Sequence, residues 1–184
     1  MANEFTLTHA PEKPAFILIN PSSLDVLDLI VIHHQNNLLM PRPDFEAQIK
    51  SASIDLDVLG GCADRYGVSM TAAILKWLEF TDKRAVLVMS RNGVVQWTRG
   101  SELGKWLSIT LSKKLSSGQR RSLPSQSATV LHTDANVDRY GTEIDARIWF
   151  SNEPEGMTLR EMRIVSDQYR QTITLLILPP EVKP

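Results

Sequence analysis

The spacing of apolar residues changes along the chain, and the predicted elements follow from it. Ala15 to Asn20, AFILIN, is a compact apolar run closed by Pro21, the pattern of a buried strand. Leu24, Leu27, Val31 and Leu38 then lie near one face of a helix through LDVLDLIVIHHQNNLL. Ser22 or Ser23 is its candidate cap, and Asp25 sits near its positive end. Pro41 lacks a backbone N–H and pushes Met40 out of the α region, so this helix must finish at Leu38-Leu39. Behind Pro43, residues Asp44 to Ser51 read as a short helix. The next starts at Asp55 or Asp57, runs through Leu59, Ala63 and Tyr66, and ends at Gly67. Ser69 caps a further helix whose Ile74, Trp77 and Leu78 follow the i, i+3, i+4 spacing of a buried face.

Near Lys83 the character changes. Arg84 to Ser90 and Val94 to Thr98 are β-branched and apolar, with Arg91-Asn92-Gly93 between them. Asn-Gly between two such runs predicts a two-residue hairpin turn, with Val86, Val88 and Val95 or Trp97 on its apolar faces. Ser101 to Leu115 fits no single period, and 112–127 reads as a polar loop. Glu143 to Phe150, Thr158 to Val165 and Thr172 to Leu178 read as strands, and no internal repeat is evident. The expected fold class is α+β: a helical region over 1–82 with a helix-turn-helix-like pair, then an antiparallel β-rich region over 83–184. Residues 1–14 are polar, carry Pro11 and Pro14, and are expected to be poorly ordered.

Composition narrows the function classes. A formal net charge of −1 over 184 residues gives no whole-chain attraction to nucleic acid or anionic membrane. The single Cys62 excludes an internal disulfide framework and reads as a small core residue. The first residues lack the basic and apolar segments of a signal peptide, and Leu24 to Ile32 is short and broken by Asp25 and Asp28. The expectation is a soluble, cytoplasmic protein with no membrane partner. His33 and His34 are adjacent, about 100° apart on a helix, and so are poorly placed to chelate one metal. His132 and Asp134 lie in a polar stretch with no nucleophile in sight. Lys113, Lys114, Arg120 and Arg121 form a basic cluster that reads as a solvated loop, with phosphate binding as its alternative.

Two segments carry a family resemblance. Leu38-Leu39-Met40-Pro41 is followed at a regular distance by Leu59, Ala63, Tyr66, Val68 and Ser69, and then by Ala72, Ala73 and Leu75. Over about residues 36 to 100 this resembles the end of the peptidase domain in the ImmA/IrrE family of zinc metallo-endopeptidases. AVLVMSRNGVVQW and IDARIWFS…TITLLIL resemble the β-rich tail of its longer members. The resemblance implies a zinc cofactor and a setting in stress or mobile-element regulation. The family's metal helix carries H-E-x-x-H, whose two histidines bind zinc while the Glu activates water. No such motif occurs here: the histidines are His9, His33, His34 and His132, and the family's third ligand, a Glu, has no match. Ala2-Asn3-Glu4-Phe5 spells the family's A-N-x-F string, but far from the LLMP it should nearly touch.

The expectation is therefore a truncated or degenerate homologue with no catalytic residues, no metal ligands and no cofactor, acting by binding a protein such as a regulator. Ala15 to Ile32 is expected to replace the lost metal helix against Leu38, Leu39 and Met40. One alternative is a DNA-associated regulator using a helix-turn-helix at 57–81, with Ser69, Thr71 and Lys76 as its nucleic-acid contacts. Another is a fragment of an active zinc peptidase whose metal helix lies upstream.

Overall fold

A computed structural model describes residues 39–50, 52–116, 139–166 and 171–180. The expected strand at Ala15 to Asn20, the helix before Leu38, residues 1–14, the loop beyond 116 and all four histidines lie outside them. Among the described residues three helices come first: α1 (Arg42–Ile49), α2 (Leu56–Tyr66) and α3 (Met70–Leu78). The cap signals that predicted α2 and α3 are the ones that form them, whereas α1, expected over Asp44 to Ser51 behind Pro43, starts at Arg42 and holds Pro43 in its first turn, where a missing N–H breaks no helical bond. Pro41 precedes α1; the Asp55 carboxylate accepts the Val58 N–H and starts α2; Gly67 closes it at φ 62°. The Ser69 hydroxyl accepts the Ala72 N–H and starts α3. Each such cap contributes about 1 kcal/mol.

Five strands form one antiparallel sheet in the order β2-β1-β5-β4-β3. They are β1 (Arg84–Arg91), β2 (Val94–Gly100), β3 (Thr142–Asp145), β4 (Thr158–Ser166) and β5 (Gln171–Leu178). The β1–β2 turn is the predicted one: Arg91 pairs with Val94, and Asn92 and Gly93 both have positive φ, 50° and 73°. That conformation matches the right-handed twist of the strands, which is why Asn-Gly is favoured there. The fold class is α+β as expected.

Two local expectations need correction. Ser101 to Leu115, of no single period, contains α4 (Lys105–Ser116), so the β half is interrupted by a helix and 112–116 is not loop. The strand expected over Glu143 to Phe150 stops at Asp145, whose carboxylate accepts the Arg147 N–H and turns the chain into a 3-10 helix, Ala146–Ile148.

Because side chains alternate across a strand, the sheet has two apolar faces. On one, Ala85, Leu87, Met162 and Leu175 join Met40, Phe45, Leu59, Ile74 and Trp77 in a single buried cluster. The helical layer and the sheet therefore share this core. On the other face, Val86, Val88, Val95, Leu159 and Leu176 pack with Leu111 of α4 and with Trp149 and Phe150. A buried ion pair, Arg84 Nη2 to Glu153 Oε1 at 2.7 Å, fastens the start of β1 to the loop after the 3-10 helix.

Candidate interaction surface

The turn from β2 into α4 is fixed by one buried hydroxyl. Ser101 Oγ donates to Lys83 O (2.7 Å) and accepts from the N–H groups of Ala85 (3.1 Å) and Gly104 (3.0 Å). The Ser101 N–H returns a bond to Ala85 O at 2.9 Å, so Ser101 continues the β1–β2 ladder by one rung. The backbones approach too closely for side chains: a Cβ on Gly104 would lie 2.2 Å from Ala85 O, and one on Gly100 would lie 2.4 Å from Gly104 O. Only glycine fits at either place. Farther along, Thr98 Oγ1 donates to Ser108 O (3.1 Å) and lies 3.0 Å from Ser108 Oγ.

These contacts set the rotation of α4. Gly104, Leu107, Ser108 and Leu111 share the face turned to the sheet. Exposed apolar residues stand on the other side, beside the exposed Lys105. Trp106 is 74% exposed and Ile109 36%, and Leu103, in the turn before the helix, is 58% exposed. Isolated apolar residues on a surface are ordinary, but a tryptophan with an Ile and a Leu at three-residue spacing forms a stripe. Apolar residues on more than one side of its first turns give no clean period, which explains why Ser101 to Leu115 resisted assignment. The spacing 103, 106, 109 was nonetheless visible.

The helical layer is closed by polar clasps instead. On its α1 side, Arg65 Nη2 reaches both Asp44 oxygens (3.1 and 3.2 Å), and the Tyr66 hydroxyl donates to Asp44 Oδ2 at 2.7 Å. The Tyr66 hydrogen bond, chiefly, holds the Asp44 carboxyl below the usual carboxylate range. Burial, then the hydrogen bond to Asp44, pushes Tyr66 up to about 12. At the other end of α2, Arg139 Nη1 donates to Asp57 Oδ1 at 3.0 Å. That bond and one from the Tyr140 hydroxyl lower the Asp57 carboxyl. The same four-residue string supplies both clasps: Asp64-Arg65-Tyr66-Gly67 and Asp138-Arg139-Tyr140-Gly141.

The residues singled out as nucleic-acid contacts do not gather at a surface. Ser69 is spent on capping α3 and Thr71 is half-buried. Lys76 is 1% exposed, with its Nζ 3.2 Å from Glu79 Oε2. Cys62 is buried, and burial pushes its thiol up. At the proline corner Met40 is buried in the core while Leu39 is exposed; Leu38 and Ala15 to Ile32 lie outside the described residues.

Zinc is the metal the resemblance implies. Among the described residues no three His, Cys, Asp or Glu side chains gather, and the sequence has no His-Glu-x-x-His. The described residues do not fit a zinc centre, and the four histidines lie outside them. A cleft of about 260 Å³ lies over Ile49, Ile54, Trp77 and Phe80. Its rim alternates Glu46 with Lys50 and Asp82 with Lys83, a neutral arrangement without converging polar groups. Among the described residues no helix is long and apolar enough to cross a membrane. In comparisons with known proteins, no family model matches the chain and neither does any curated protein.

Proposed function

We propose that the protein is a non-catalytic relative of the ImmA/IrrE peptidases that acts by binding another protein chain through the outer face of α4. The observation that carries the binding role is Trp106, largely exposed between Leu103 and Ile109 on a helix rigidly seated by Ser101, Gly100 and Gly104. Aromatic residues are enriched in interfaces, and a tryptophan on a preorganised element is the commonest kind of binding hot spot. The relationship to the family rests on the corner at Met40-Pro41 and on the ordered residues from Leu59 to Leu75. Leu59 and Ala63 sit in the core, and Ser69 starts the helix that bears Ala72, Ala73 and Leu75.

A DNA reader at 57–81 draws no support from its candidate contacts, because the one cation of α3 is buried against Glu79. Base readout needs side chains that project from the surface. The binding role is tested by placing a photo-crosslinking amino acid at Trp106, with the exposed Ala47 of α1 as the comparison site. The expected result is protein adducts from position 106 and none from position 47. Absence of adducts at 106 refutes the reading.

A further inference from the structure

We infer that the β1–β2 turn is a self-modification site, where the Asn92 carboxamide closes onto the Gly93 nitrogen and residue 92 becomes an acid. Asn92 is the one asparagine in the chain followed by glycine. A side chain on the following residue would crowd its nitrogen; Gly93 has none, and a Cβ built there would meet nothing within 4 Å. Both residues are exposed to the water the reaction consumes. Among the described residues neither the Asn92 carboxamide nor the Gly93 N–H makes a hydrogen bond, so none has to break before they meet. Closing a five-membered ring across the two residues twists the backbone between them, so the tip of the hairpin must first loosen. The ladder behind it allows that. Only the pairs Arg91–Val94 and Ser90–Val95 stand between the turn and a register shift that leaves Gln96 extra in β2. A bulge of this kind interrupts the ladder locally. β1 is held on its other side by β5 as far as Arg91–Gln171, so Val94 and Val95 are what lifts.

The step balances with water as the only co-reactant. The Gly93 nitrogen gives up its proton and bonds to Asn92 Cγ, and the carboxamide nitrogen leaves as ammonia. Water then opens the succinimide at one of two bonds. Breaking the bond from the nitrogen to Cγ leaves an ordinary aspartate. Breaking the main-chain bond instead leaves isoaspartate, in which the chain runs through Cβ and Cγ. The two products act differently on the hairpin. Asp-Gly suits a type I′ turn as Asn-Gly does, so the aspartyl form keeps the register. Isoaspartate adds a methylene to the main chain of a two-residue loop, and loop length is what fixes hairpin register. Val95, which packs with Val88 in the core of the second face, then loses its place. The turn is thus a one-way chemical switch: ageing adds a negative charge at the tip, and one of its two products unseats β2.

The test ages the full chain in mildly alkaline native buffer, then digests it and maps the peptides by mass spectrometry. Position 92 should convert from amide to acid ahead of Asn152, which is also exposed but is followed by Glu153. Aspartyl and isoaspartyl peptides should appear as two species of equal mass. Asn92→Gly keeps a sequence suited to the same turn and removes the carboxamide, so the variant should fold and lose the conversion entirely. Asn92→Asp stands in for the aspartyl product and should melt close to the parent. The isoaspartyl fraction of the aged protein, resolved by chromatography, should melt below both. Conversion at 92 no faster than at 152, or conversion only in denaturant, overturns the site. An isoaspartyl fraction that melts with the parent overturns the effect on the hairpin.

Discussion

Replacing Ser101 with Ala should destabilise the protein out of proportion to the one oxygen removed. The Ser101 hydroxyl makes three bonds, but their losses differ. Gly104 N–H keeps a second acceptor, Ser101 O at 3.0 Å, and Lys83 is exposed, so its carbonyl can turn to water. Ala85 is wholly buried, and Ser101 Oγ is the acceptor its N–H uses. Leaving that donor without an acceptor costs about 1–3 kcal/mol. A loss of about 2 kcal/mol is a substantial part of a typical total of about 5–15 kcal/mol. For a chain of this length it lowers Tm by roughly 4–8 °C. Urea unfolding followed by tryptophan fluorescence measures the free energy, and amide exchange at Ala85 reports the bond itself. Ser108→Ala is the internal comparison, because Thr98 still donates to Ser108 O, and its cost should stay near about 0.5–1 kcal/mol. A Ser101→Ala change within about 0.5 kcal/mol of the parent, the range of ordinary surface substitutions, refutes the role assigned to this hydroxyl.

The Asp44–Tyr66 clasp predicts pH limits on both sides. Because the folded Asp44 and Asp57 carboxyls lie below the ordinary value, their contribution is complete at neutral pH and is lost as pH falls below about 4. Tyr66 acts at the other end: its contribution is intact below its ordinary value of about 10 and lost as pH rises towards the folded value of about 12. Melting temperature against pH should therefore fall less steeply between those values in Tyr66→Phe than in the parent, and equal slopes would contradict the clasp. Cys62, buried and with its thiol pushed up, should react with a thiol reagent only as fast as the protein opens. A rate in native buffer equal to that in denaturant would show the site to be accessible.

Where local chemistry governs the structure, the sequence was legible. Asn92-Gly93 supplies two positive φ angles in a row, and Asp55 and Ser69 each satisfy a helix N–H within three residues, so nothing distant needed to be known. Where distant contacts govern, it was not. The end of β3 depends on Asp145 turning back to Arg147 and on Ala146 N–H reaching Met157 O, a partner eleven residues away. Lys76 has the sequence position of a DNA contact, and only packing reveals that it faces inward. The clasps join Arg65 to Asp44 across 21 residues and Arg139 to Asp57 across 82, separations at which no spacing rule operates. The two DRYG strings were nevertheless readable as matching residues awaiting partners.

Taken side by side, the two layers on the sheet are finished differently. The helical layer has its buried face in the core and its rims tied by ion pairs and tyrosine hydroxyls, with Phe45 stacked on Tyr66 at 5.9 Å and edge-on to Phe80 at 5.7 Å. Around those clasps the rims of the layer are polar and paired. The outer side of α4 differs: the turn that enters the helix is tied to β1 through Ser101, and the Ser108 carbonyl to Thr98 of β2, while Trp106 is largely exposed. Leu107 and Leu111 supply the contact of α4 with the sheet, on the side away from Trp106. Rigidity at the backbone also lowers the ordering cost of binding. That difference is the reason the proposed protein-binding role is assigned to the outer side of α4 and not to the helix-turn-helix-like pair.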